Sequence, residues 1–230
     1  AIKEPKILIH GGGNLASKMA TDLEIPVKQI DGRRVTDDAT LDIITMAYAG
    51  KINKNLVAQL QGLGCNALGL TGADGNSILS KIRDKNPIDF GHVGDPETVN
   101  IDFIQLLLDN GITPVFCAIT HDGTGQLLNT NADTVAADVC SAFAKAYKTH
   151  LYYCFEKQGV LRDINDADSL IETINKEEYE QLKAEKVIAD GMLPKMQNCY
   201  RALENGVSSV HIGSASMITG ETNNHTTLIL

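Results

Sequence analysis

At 230 residues the chain can form one large α/β domain or two small ones, and a core of that size needs no covalent staples. Twenty basic against 29 acidic residues give a formal charge of -9, which repels phosphate backbones and argues against general nucleic-acid binding, while leaving room for a local cationic pocket for one nucleotide. No apolar run approaches the roughly 20 residues of a membrane span, and no basic-then-apolar leader opens the chain, so the expected location is the cytoplasm.

Lys6 to His10 is a short apolar strand ending in Gly11-Gly12-Gly13, and Leu15, Met19 and Leu23 then recur at helical spacing. Val27 to Ile30 predicts a second short strand. Leu41, Ile44, Ile52 and Leu56 fit one long helix over 39–63, and 66–70 returns to strand. The stretch 77–95 is rich in turn residues and predicts β-hairpins. A helix follows over 101–108, then the buried strand 112–119 and a hairpin turn at Asp122-Gly123-Thr124-Gly125. Residues 131–147 read as helix and 151–155 as strand, after which a polar, charge-rich tract runs to about Ala189. A helix at 195–203 and strands at 209–212 and 227–230 close the chain.

Strands alternating with helices predict an α/β fold with an open, mainly parallel sheet covered by helices on both faces. A soft boundary near residue 150 divides residues 1–150 from 151–230 within one continuous domain of two lobes. Cys65, Cys117, Cys140, Cys154 and Cys199 are scattered without a C-x-x-C pair and read as small buried hydrophobes. The six histidines show no metal-ligand spacing, so no metal residue is assigned.

The glycine turn fits three readings. Consecutive glycines between strand and helix let backbone N–H groups converge on an anion at a helix N-terminus. Gly11-x-Gly13-x-x-Ala16, with Asp31 near the spacing of a ribose-binding acid, also matches a dinucleotide fingerprint and would make the chain an NAD(P)-binding dehydrogenase. A tight turn with no ligand is the third.

Other polar clusters favour the anion site. Asn129, Asn131 and Asp133 place two amides and a carboxylate at alternating positions by a helix start, where capping requires only one. Lys195, after Asp190-Gly191 and Pro194, falls near a helix N-terminus, an electrostatically misplaced cation unless an anion shares the site. Arg33 and Arg34 follow a strand directly, and a guanidinium grips a carboxylate with two hydrogen bonds.

Together, His10-Gly11-Gly12-Gly13, Gly32 to Thr36, Gly91-His92-Val93-Gly94, Asn129 to Asp133 and Asp190 to Lys195 resemble, in order, the N-acetylglutamate kinase branch of the amino-acid kinase family. The resemblance implies ATP and Mg²⁺, an N-acylated glutamate (acetyl or succinyl) as acceptor, an acyl phosphate product in arginine biosynthesis, and a homodimer or higher homo-oligomer, for which helix 39–63 could supply the interface. By it, Gly12 and Gly13 offer N–H groups to the substrate and the transferring phosphoryl, and Arg34 holds the α-carboxylate. Asn129 and Asn131 bind the acylated amino acid, Asp133 orients catalytic lysine, and Lys195 stabilises phosphoryl charge. The His92 hairpin closes over the acceptor.

The chain also departs from that pattern. The family opens with a further strand, ending in a lysine–glycine turn, and a helix, a unit of roughly 30 residues. Here the first strand already matches the family's second, so a non-catalytic kinase relic is a further expectation for the chain as written. After strand 151–155, Cys154 to Val160 replaces a small hydroxyl residue and an aspartate; Glu156 stands in for the aspartate, and with Gly159 is assigned to the nucleotide. Thr226-Thr227 replaces Gly-Thr.

Overall fold

The computed structural model describes residues 2–30, 32–189, 191–221 and 223–230. They form two compact units, Glu4–Val135 and Ala136–Leu230, the latter with residues 2 and 3. The division falls inside one helix.

The amino-terminal unit opens with β1 (Leu8–His10) and α1 (Gly13–Asp22), followed by the hairpin strands β2 (Gln29–Ile30) and β3 (Arg33–Arg34). The expected long helix is present as a continuous run in three parts: α2 (Asp38–Thr45), a π-helical turn at Met46–Ile52, and α3 (Asn53–Gly62). Asp37 starts it by accepting a hydrogen bond from Thr40 N at 2.8 Å. Hydrogen bonds from Thr40 also hold the Asp37 carboxyl below the usual range. β4 (Ala67–Leu70), β5 (Ile78–Ile82), β6 (Gly94–Val99), α4 (Ile101–Asp109), β7 (Thr113–Cys117), β8 (Ile119–His121) and β9 (Leu127–Asn129) complete it, and α5 (Ala132–Ala144) crosses the division.

β7 is central in a parallel sheet of order β1-β7-β4, with Leu8 opposite Val115 and Ala67 opposite Thr113. All five of its residues are buried, which is why it reads as an unbroken apolar run rather than an alternating one. A second sheet, β6-β5-β8-β9, holds the expected hairpins. At its 122–125 turn, Asp122 accepts from Thr124 N at 2.7 Å and Gln126 N at 3.1 Å, and the Thr124 hydroxyl bonds the same carboxylate at 2.7 Å. These bonds, the Thr124 side chain's first, lower the Asp122 pKa to about 2.

The carboxy-terminal unit contains β10 (His150–Cys154), β11 (Thr173–Ile174), α6 (Lys176–Ala184), α7 (Met192–Glu204), β12 (Ser209–Gly213), α8 (Ser216–Thr219) and β13 (Thr226–Leu228). Its sheet runs β10-β12-β13-β11, parallel except for β12 against β13. β11 and α6 lie in the tract read as merely polar. A capping box starts α6, with Glu178 N bonding Asn175 Oδ1 at 2.8 Å and Asn175 N bonding Glu178 Oε2 at 3.0 Å. Tyr179 and Leu182, three apart, are its buried stripe. Helices and sheet enclose a core including Ile174, Ile188, Met196, Val210, Ile212 and Leu228.

Cys117 and Cys199 are buried as expected, whereas Cys65 and Cys140 are half-buried and Cys154 is exposed at an alternating strand position; all are free thiols. Among the described residues no helix is long and apolar enough to cross a membrane.

The other face of the carboxy-terminal sheet carries a histidine cluster. His211 Nε2 lies 2.7 Å from Ser209 Oγ and Nδ1 3.2 Å from Thr227 Oγ1, and its ring stacks on Tyr152 at 4.8 Å. Burial, then His225 and His150, push its pKa down to about 4. Between pH 6.5 and 4 the unfolded chain binds this proton and the folded one does not, so the fold is destabilised as pH falls through that window. Discounted for partial exposure, the contribution is about 1–2 kcal/mol. Thermal melts from pH 7 to 4 are expected to show a fall that His211→Gln reduces; an equal fall in the variant would refute the assignment. His10, also lowered by burial, supplies part of what remains.

Candidate active site

The strand-to-helix turn is built by close packing. Tyr48 and Ile52, four apart in the π-helical turn, lie against Gly12: a Cβ there would meet the Ile52 methyl and stand 2.7 Å from Tyr48 Cδ1. The backbone can approach its neighbours here only because Gly12 has no side chain. From Gly13 onward the chain is helical, so the first N–H groups of α1 have no intrahelical partner and point out of the turn.

Two neighbours fix this turn. Arg34 Nη2 donates to Gly13 O at 3.1 Å and to Ser17 Oγ at 2.7 Å, seating a guanidinium on the first turn of α1. Asn53, 1% exposed, donates through Nδ2 to Val115 O at 2.9 Å and to His10 Nε2 at 3.1 Å. His10 Nε2 is then the acceptor, and Nδ1–H donates to Gly11 O at 2.8 Å. Burial, offset by that backbone bond, lowers the His10 pKa and favours the neutral ring.

Three separated motifs meet in the same unit. His92 N donates to Thr36 O at 2.7 Å, Asn129 N to His92 O at 2.9 Å, and Asn129 Nδ2 to Thr36 Oγ1 at 3.0 Å. Gly91, at φ +70, passes so close to Thr36 that any Cβ would overlap its carbonyl. The His92 ring reaches Asp38 Oδ1 at 2.7 Å, tying the 91–94 segment to the start of α2. Asn131 proves to be the helix cap of α5, accepting from Thr134 N at 3.0 Å. Asp133 is half-buried in the first turn of the same helix. The structure thus collects Gly12, Gly13, Arg34, Asn129, Asn131 and Asp133 in the amino-terminal unit.

Lys195, Glu156 and Gly159 belong to the carboxy-terminal unit. Lys195 is in the first turn of α7, its Nζ 4.6 Å from the Tyr153 ring centre and 5.8 Å from that of Phe155. Just past β10, an open cleft of about 310 Å³ is lined by Glu156, Lys157, Gln158, Leu161 and Ile164 among others. Glu156 is exposed there. Gly159, in the same segment, is buried, and a Cβ there would stand 2.6 Å from Thr226 Oγ1. Thr226 in turn accepts from Val160 N at 2.8 Å and donates to Ile171 O at 2.7 Å, so its departure from the family's glycine has a structural use. The cleft sits at the carboxyl end of a parallel strand, where open α/β sheets bind ligands.

Asn53 and Tyr48 were not singled out in the sequence. Asn53 had a signal, a polar residue in a helix against an apolar strand; Tyr48 had none. Asp31 and Asp190 lie outside the described residues.

The amino-terminal unit holds a strand–glycine–helix anion turn with a seated arginine and an amide-rich second motif, and the carboxy-terminal unit holds a lysine over two aromatic rings and an open cleft; these are parts that a phosphotransferase uses. A profile of the amino acid kinase family matches residues 2–214, and the chain belongs to that family. It is 51% identical over 229 residues to the acetylglutamate kinase of Cytophaga hutchinsonii, covering 99% of this chain and 87% of that protein. The acetylglutamate kinase of Phocaeicola vulgatus is 50% identical over 218 residues, covering 95% of this chain and 85% of its own length. The crystal structure of smu.665 from Streptococcus mutans shares the fold at TM-score 0.83 and 26% identity, covering 96% of this chain and 84% of that one. The fold is also that of N-acetylglutamate synthase from Neisseria gonorrhoeae, at TM-score 0.82 and 22% identity over 98% of this chain and 52% of that chain.

Proposed function

We propose that the chain catalyses ATP-dependent phosphorylation of the γ-carboxylate of an N-acylated glutamate, acetyl or succinyl, to an acyl phosphate, a step of arginine biosynthesis. The observation that carries this reading is the Arg34 guanidinium seated on Gly13, which puts a carboxylate-binding cation beside a backbone anion site. The names of the relatives at 50–51% identity agree with it.

A carboxylate is already a competent nucleophile, so the protein's task is positioning and charge stabilisation rather than proton removal. Gly12 and Gly13 N–H groups would hold the reacting end of the acceptor and Arg34 its α-carboxylate. Asn129 and Asn131 would contact the acylated amine, and Asp133 would orient catalytic lysine. The segment around His92, anchored to Asp38, would cover the acceptor.

The cleft past β10 has the volume of a nucleotide subsite and is lined by Glu156; Glu156 and Gly159 would contact the nucleotide. Lys195 would stabilise charge on the transferring phosphoryl. Among the described residues no group of three or more His, Cys, Asp or Glu side chains could hold a metal ion. Mg²⁺, which binds largely through water and phosphate oxygens, would be held mainly by the nucleotide. Bound there, MgATP supplies the transferable phosphoryl group. The dimer interface expected on helix 39–63 is part of the same proposal, with Met46 and Leu63 on its exposed side.

The test is coupled ADP release with MgATP and either N-acetyl- or N-succinyl-L-glutamate. Turnover with one of them is expected and would name the acyl group. ATP binding without turnover would leave a non-catalytic binding protein, and NADH binding without ATP binding would return the glycine turn to a dinucleotide.

A further inference from the structure

Tyr48 buries its ring and carries its hydroxyl to the glycine turn. The residue is 6% exposed, and its ring belongs to the core that includes Ala16, Ile44 and Cys117. The hydroxyl is aimed at the glycine turn, 3.9 Å from the point a Cβ on Gly13 would occupy. The oxygen is not among the buried side-chain atoms left without a partner, so it is not sealed in the core away from water or a ligand. The ring is anchored in the core while the oxygen stands at the glycine turn, where phenylalanine would fill the same space and offer no donor.

Its backbone setting points the same way. Met46–Ile52 is the π-helical part of an otherwise α-helical run. One such turn rotates the residues after it relative to those before, and π turns occur frequently at functional sites. Here the turn brings Tyr48 and Ile52 together against Gly12. Arg34 approaches the same turn from its other neighbour β3, and its charge acts on the Tyr48 phenol against the burial that raises the phenol's pKa. A neutral donor and a fixed cation therefore flank one set of backbone N–H groups.

We propose that Tyr48 is an acceptor-binding residue whose hydroxyl donates a hydrogen bond to a carboxylate oxygen of the acylated amino acid held at Gly12-Gly13. This rests on the reading of that turn as the acceptor's anion site. Burial keeps the phenol protonated, so it serves as a donor throughout the neutral range. Its ring meanwhile sets the depth of the turn, so one residue shapes the site and contacts its occupant.

Tyr48→Phe in the full chain separates the two roles, because it keeps the ring and removes only the oxygen. Calorimetric titration with N-acetyl-L-glutamate and N-succinyl-L-glutamate, without nucleotide, is expected to show binding by the parent chain weakened about tenfold in the variant, the size of one hydrogen bond to a charged group. The thermal midpoint should not fall, and the KM for ATP should stay within twofold. Parent and variant binding the acceptor equally well would overturn the role of Tyr48 and leave the acceptor reading standing. A parent chain that binds neither acyl-glutamate would overturn the acceptor reading, and this proposal with it.

Discussion

Lys195→Ala is expected to lower kcat about 10²–10³-fold, the loss typical of removing one preorganised donor from a developing charge. The ammonium is placed by the fold. α7 begins at Met192 with Pro194 in its first turn, and Lys195 then lies over the faces of Tyr153 and Phe155 at the end of β10. Those rings hold a cation at a helix N-terminus, where the helix itself disfavours one. Nucleotide affinity, measured by titration with a non-hydrolysable ATP analogue, should change only a few-fold, because the interaction is strongest when charge is moving. Lys195→Arg should recover only part of the rate, since a broad planar guanidinium replaces a compact charge over the same rings. An alanine variant retaining more than a tenth of parental kcat would reduce Lys195 to a packing role.

The parts of this arrangement that could be read from the sequence are those with a local cause. β1, the glycine turn and α1 follow from a short apolar run, three glycines and apolar residues at helical spacing. The hairpin at 122–125 follows from Asp122 and two glycines, and the structure shows Asp122 bonded to the backbone two and four residues on. The Asn129 to Asp133 cluster was read as more than capping. Asn131 is a cap, while Asn129 instead reaches 93 residues back to Thr36. That bond depends on tertiary pairing, and a local pattern cannot report it.

What escaped was of two kinds. α6 was overlooked because its apolar face is narrow: Tyr179 and Leu182 are outnumbered by surrounding charges, although Asn175-x-x-Glu178 is a helix-start signature. The π-helical turn left no trace, because Leu41, Ile44, Ile52 and Leu56 suit a straight helix equally well. Tyr48 and Asn53 owe their placement to that helical run, so their proximity to Gly12 and His10 was hidden with it. Fold and the motif residues are thus legible where local conformation decides them; the donors around the turn emerge only once a helix has been packed on a strand.

Gly12→Ala is expected to damage both the stability and the acceptor site of the amino-terminal unit. A methyl group there would lie 2.7 and 2.9 Å from Tyr48 Cδ1 and Cε1 and closer still to the Ile52 methyl. The Tyr48 ring cannot withdraw easily, since Tyr48 is 6% exposed and packed with Ala16, Ala47 and Cys117. Overpacking of this kind costs about 1–3 kcal/mol, so the thermal midpoint should fall by several degrees. Relief requires the turn to move outward, and even about 1 Å of displacement can cost about 10²-fold in rate. Acceptor kcat/KM should therefore fall about 10²-fold, with the KM for ATP little changed. Trimming the partner with Ile52→Val in the same chain should restore some of the stability and some of the rate. A Gly12→Ala enzyme with kcat/KM within threefold of the parent would show that this turn does not hold the reacting group.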